Sequence, residues 1–156
     1  MPVEILFIDD EEYKTVRYRQ HLERRGSVVH YCERAEDAKQ RMDDNPNINA
    51  IILDIMMPTP QGVSDAVTNQ GQDTGLWLLV KIEEYVLSKP RPVLILTNRN
   101  VQAVEEGLKV LKLPPFLVDV RRKCETRAVD LPDRLETFLA AAREQFTEQR
   151  DRRTAI

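Results

Sequence analysis

Two short apolar runs end in aspartate, and they restrict this chain more than any other feature. Val3 to Ile8 is nearly continuous in apolar residues and stops at Asp9-Asp10-Glu11-Glu12. Ala50 to Leu53 (Ala-Ile-Ile-Leu) stops at Asp54, and Pro58 soon ends regular structure. Runs of this length, rich in β-branched residues, suit strands buried on both faces. A carboxylate at the end of such a strand lies where open α/β sheets bind ligands.

The remaining segments repeat that plan. Tyr13, Val16 and Leu22 recur at helical spacing up to Gly26, a helix stop. Ser27 to Tyr31 reads as a second strand, and Ala35, Ala38 and Met42 as a short helix closed by Asn45-Pro46. After the strand ending at Leu53, residues 59 to 74 show no periodicity. Leu76, Leu79, Ile82 and Val86 predict a third helix, Pro92 to Leu96 a fourth strand ending at Thr97. Val101, Val104, Leu108 and Leu111 mark a fourth helix, weakened by Gly107 and stopped by Pro114-Pro115. Phe116 to Val120 reads as a fifth strand, followed by Arg121-Arg122-Lys123. Asp130 suits an N-cap, with Pro132 in the first turn of a last helix that ends near Arg150. Five β-then-α units predict an α/β fold: a doubly wound parallel sheet with helices on both faces.

Composition narrows the function. Net charge is -3, so nothing indicates direct binding to nucleic acid. No apolar run approaches a membrane span, and the acidic start is unlike a signal peptide. Cys32 and Cys124 make no disulfide framework, which points to a cytoplasmic protein. One domain over 1–150 and a charged tail at 151–156 account for the 156 residues.

In such a sheet Asp9, Asp10, Asp54, Thr97 and Lys123 all fall at C-terminal strand ends and surround one crevice. Three carboxylates there repel unless a cation neutralises them, and a hard oxygen set suits Mg²⁺. Lys and Thr are groups that hold a phosphoryl oxygen. Taken singly, each has a plainer use: helix-dipole complement, N-cap or surface lysine.

The chain resembles the receiver domain of two-component response regulators. Ile5-Leu6-Phe7-Ile8-Asp9-Asp10-Glu11, Leu53-Asp54-Ile55-Met56-Met57-Pro58, Thr74-Gly75-Leu76-Trp77-Leu78-Leu79, Leu94-Ile95-Leu96-Thr97 and Lys123 carry the resemblance, which spans essentially the whole chain. It implies a flavodoxin-like five-stranded sheet of order 2-1-3-4-5. It implies that Asp54 is the phosphoacceptor and that Asp10 and Asp54 bind Mg²⁺ directly. Asp9 would bind the ion through water, and Met56 through its backbone carbonyl. Thr97 and Lys123 would contact the phosphoryl group. The donor would be a sensor histidine kinase or a phosphotransfer protein in a phosphorelay, and the output partner an effector protein. The expected protein is a stand-alone receiver, monomeric or weakly dimeric. It is no enzyme beyond its own aspartyl phosphorylation and dephosphorylation.

The chain departs from the family at four places. The Gly75 segment lies farther from Asp54 than in the family, so about residues 61–73 form an insertion beside the site. Its expected use is a lid or partner contact that tunes access to Asp54. Cys124 follows Lys123 where the family has a cis-proline, and a trans bond is expected. Val120 replaces an aromatic, and Asn98 a small residue. These leave a second reading open: a phosphorylation-independent receiver-like interaction module. A Mg²⁺-dependent phosphatase fits less well, because Met56 stands where a second acid–base carboxylate is needed.

Overall fold

The computed structural model describes residues 2–155. Five strands form one sheet: β1 (Glu4–Ile8), β2 (Val28–Cys32), β3 (Ala50–Leu53), β4 (Val93–Thr97) and β5 (Val118–Arg122). All neighbours are parallel, in the order β2-β1-β3-β4-β5. This is the sheet order that the resemblance implies.

Alternation along the strands builds two cores. Leu6, Ile8, Ile51, Leu53, Val93 and Ile95 face one way. They meet Ala38 and Met42 of α2 (Ala38–Asp44), Leu78, Leu79, Ile82 and Val86 of α3 (Thr74–Ser88), and Val104 of α4 (Val101–Leu108). Ile5, Phe7, Ala50, Ile52, Leu94 and Leu96 face the other way. They meet Leu22 of α1 (Glu12–Arg24) and Leu131, Leu135 and Leu139 of α5 (Leu131–Thr154). The three central strands are thus covered on both sides, as a parallel sheet requires.

Several expected boundaries move, each for a local reason. The fifth strand begins two residues later than its apolar run, because Pro115 to Leu117 form a 3-10 turn first. It then takes in Arg121 and Arg122, which an edge strand can leave exposed. The fourth helix stops at Leu108, not Leu111. Gly107 does more than weaken it. A Cβ there would lie 2.4 Å from Leu76 Cδ1, so the glycine lets α4 pack closely on α3. The last helix continues through Thr154, so most of the expected tail is helical. Asp130 precedes it without making a cap bond; its carboxylate pairs with Arg127 instead. Gly26 has φ +92° and ends α1, as expected.

The insertion is a series of turns. It is nonetheless tightly held. Thr68 is fully buried, and its hydroxyl bonds Thr59 Oγ1 at 2.7 Å and accepts the Gly71 amide at 3.1 Å. Asn69, Gln70 and Gly71 are all left-handed, with φ of 52°, 57° and 84°. Only glycine fits the third position: a Cβ on Gly71 would lie 2.6 Å from the Met57 carbonyl oxygen.

Candidate functional site

The register brings the polar strand ends together. Ile8 pairs with Leu53 and Leu53 with Ile95, so the residues that follow emerge side by side. The Asp54 amide donates to the Ile8 carbonyl at 3.0 Å, and the Asp9 amide to the Cys32 carbonyl at 3.1 Å. These bonds fix both backbones where they leave the sheet. Gly75 closes the other side. A Cβ on it would lie 2.5 Å from the Asp54 carbonyl oxygen, and its amide donates to the Ile55 carbonyl at 2.9 Å.

Lys123 ties the carboxylates. Its Nζ lies 2.8 Å from Asp54 Oδ2 and 2.6 Å from Asp9 Oδ2. The first contact is a hydrogen bond; the second is an ion pair off the hydrogen-bonding direction. Asp9 is 1% exposed, Asp54 4%, and the Lys123 side chain 14%. Asp9 Oδ1 accepts the Glu11 amide and Asp54 Oδ1 the Met56 amide.

Burial is the main cause that pushes Asp9 up to about 6, and the neighbouring Asp54 charge adds to it. Burial likewise raises Asp10. Burial opposes the charge on Lys123, but Asp54 and Asp9 outweigh it and raise its pKa.

Asp9, Asp10 and Asp54 each offer an oxygen within 4.8 Å of the others. Asp10 Oδ1 is buried and has no hydrogen-bond partner. Three carboxylates face one ammonium, which leaves negative charge uncompensated in a buried place. An all-oxygen donor set with an orphaned carboxylate oxygen fits Mg²⁺.

Thr97 ends β4, fully buried, and its Oγ1 accepts the Arg99 amide at 3.1 Å. This is the local turn that a lone Thr can make. Met56 is 42% exposed at the rim, and its amide donates to Asp54 Oδ1 at 3.2 Å. The Lys123–Cys124 bond is trans, as expected. Cys32 is buried and Cys124 exposed, and both are free. Val120 is half buried against the core, with no ring at its position.

Three supporting contacts had no signal in the sequence. The Tyr31 hydroxyl donates to the Asp9 carbonyl. The Tyr18 hydroxyl donates to the Thr126 carbonyl beside Lys123. Thr74 Oγ1 donates to the Met57 carbonyl at 2.8 Å. Each joins residues far apart in the chain, beyond the reach of spacing rules.

No protein-family model and no curated protein matches the chain. Solved structures do. A CheY-like response regulator receiver domain protein from Methanospirillum hungatei superimposes with a TM-score of 0.69 at 16% identity, over 93% of this chain and 99% of that one. A putative response regulator from Chloroflexus aurantiacus gives 0.65 at 23% identity, over 90% and 99%. The signal receiver domain of a putative LuxO repressor protein from Vibrio parahaemolyticus gives 0.65 at 21% identity, over 94% and 97%. The sheet order, the helices on both faces and these superpositions agree: the chain has the CheY-like fold of response regulator receiver domains.

Proposed function

We propose that the chain is a phosphorylation-dependent receiver, with Asp54 accepting a phosphoryl group from a phosphohistidine on a sensor histidine kinase or phosphotransfer protein. The phosphorylated chain then signals by binding an effector protein. One observation carries this reading: the buried Asp54 carboxylate meets the Lys123 ammonium at 2.8 Å within a cluster of two further carboxylates.

An Asp54 oxygen attacks phosphorus in line. The new O–P bond forms as the P–N bond to the donor imidazole breaks, and the electron pair stays on that nitrogen. Lys123 already sits on Asp54 and is placed to neutralise a phosphoryl oxygen. Thr97 Oγ1 accepts from Arg99, and among the described residues it donates to nothing. Its proton is therefore free for a phosphoryl oxygen. Asp10 and Asp54 would hold Mg²⁺ directly, Asp9 through water, with the Met56 carbonyl completing the protein's share. Bound there, the ion supplies further neutralisation of phosphoryl charge. The chain acts only on its own Asp54, not on a separate substrate. A reducing cytoplasm suits its two free cysteines.

Val120 supports a second reading. With no aromatic to reposition at that place, the fold would serve as a constitutive interaction module. The intact cluster around Asp54 favours the switch.

Incubation with Mg²⁺ and acetyl phosphate, followed by intact mass measurement, tests this. The expected result is one phosphoryl adduct that needs Mg²⁺ and is lost in Asp54→Asn. No adduct after a fast quench, and no binding of beryllofluoride, would favour the constitutive module.

A further inference from the structure

The insertion joins the two loops that flank Asp54. On one side the Met57 amide donates to the Gly71 carbonyl at 3.1 Å, and Thr74 Oγ1 bonds the Met57 carbonyl. On the other side Asp73 Oδ1 accepts from Arg99 Nε at 3.2 Å. Asp73 is itself held: its amide donates to the Thr68 carbonyl at 2.9 Å, and Asn69 Nδ2 approaches its Oδ2 at 3.4 Å. Each partner of the ion pair is two residues from the site. Asp73 precedes Gly75, which abuts the Asp54 carbonyl, and Arg99 follows Thr97 and bonds its hydroxyl.

We infer that Asp73 is a positioning residue that holds the Arg99 guanidinium off the phosphoryl site and so shortens the life of phosphorylated Asp54. The inference rests on the receiver reading of Asp54. Asp73 is the one carboxylate paired with Arg99 among the described residues. Both side chains are partly exposed, at 22% and 28%, so the pair is weak enough to exchange partners. A phosphoryl group is a competing acceptor for Arg, and removing the Asp73 charge leaves the guanidinium free to take it. Hydrolysis requires a water oxygen to attack phosphorus. The acyl O–P bond breaks, the Asp54 carboxylate leaves with its electron pair, and the water's proton passes to solvent as inorganic phosphate departs. A guanidinium across the phosphoryl oxygens fills space that the water needs. The Asp73 carboxylate keeps it elsewhere.

The test is the decay of the phosphoryl adduct, made with acetyl phosphate and followed by intact mass after the donor is removed. Asp73→Asn keeps the side chain's shape and removes its charge, and Asp73 makes no cap bond to α3 that would be lost. Asp73→Ser, a good residue ahead of a helix, repeats the test on a second side chain. Both should lengthen the half-life about three-fold, the size of effect a partly exposed ion pair commands. Arg99→Ala should decay within about two-fold of the unsubstituted protein, and adding Asp73→Asn to it should then change nothing. An unchanged half-life in both Asp73 variants overturns the inference. So does an equal lengthening in the Arg99→Ala background, which would make Asp73's effect independent of Arg99. If the unsubstituted chain forms no adduct, the receiver reading falls and takes this inference with it; an adduct with unaltered decay removes the inference alone.

Discussion

The Tyr18 hydroxyl lies 3.3 Å from the main-chain carbonyl of Lys123, a residue 105 positions along the chain, and donates to the neighbouring Thr126 carbonyl at 2.9 Å. Thr126 is itself buried, and its Oγ1 donates to the Arg122 carbonyl at 2.8 Å. One side chain of α1 thus pins the turn from which Lys123 reaches Asp54. Hydrogen bonds, not a proline, hold the backbone on which Lys123 is mounted.

Tyr18→Phe removes that hydroxyl and keeps the ring. It should cost about 1 kcal/mol in urea unfolding. It should also slow phosphorylation by acetyl phosphate a few-fold, because the Lys123 ammonium is less well placed. Equal rates in the two proteins would show that the turn holds Lys123 without Tyr18.

Asp9 gives the metal-free protein a pH dependence. Its pKa rises from 3.8 to about 6 on folding, through burial and the Asp54 charge. The folded state therefore holds this proton more tightly than the unfolded chain. The stability that Asp9 contributes is fully present below about 3.8 and is lost as pH rises through about 6. Urea midpoints in EDTA, compared between the protein and Asp9→Asn, isolate the effect. The difference should grow in favour of Asp9→Asn from pH 4 to pH 7; a constant difference would refute the assignment.

Gly75→Ala sets a Cβ 2.5 Å from the Asp54 carbonyl and 2.7 Å from Ile55 Cα. Both are backbone atoms of the loop that carries Asp54, the proposed phosphoacceptor, so α3 or that loop must shift. The expected loss is about 1–3 kcal/mol, the range for an overpacked core. Phosphorylation should fall as well, since Asp54 moves relative to Lys123. Thermal melting and the acetyl phosphate assay read the two effects.

Thr68→Val preserves shape and removes the hydroxyl that Thr59 and the Gly71 amide share. Leaving a buried N–H without a partner costs about 1–3 kcal/mol. The loss should be local. Hydrogen exchange of amides 69–73 should speed up, while that of the β1 and β3 amides stays put.

Most of the sheet and of the cluster around Asp54 is legible in the sequence, and for one reason. Strands buried on both faces must be apolar along their length, so the charges at Asp9 and Asp54 mark where they end. Thr97 and Lys123 followed by the same logic. The apolar run sets β5 two residues early, because an edge strand need not be apolar and Arg121-Arg122 resemble a loop. Gly107 looked like a defect, since a contact with Leu76 of another helix leaves no trace in local spacing. The insertion was recognisable by length alone. What it does depends on Thr68, Gly71, Thr74 and Asp73 meeting residues brought near by the fold.

Among the described residues of α5, none after Ala142 is buried, although the helix runs to Thr154. Past the half-buried Phe146 every described residue is exposed, so these last turns open far more often than the turns around Leu135 and Leu139. Arg150, Arg152 and Arg153 lie in that stretch. Trypsin should consequently trim the molecule from this end first and stall where the helix beds into the core. The shortened protein should keep Asp9, Asp54 and Lys123 in place, because none of them leans on what has been cut away.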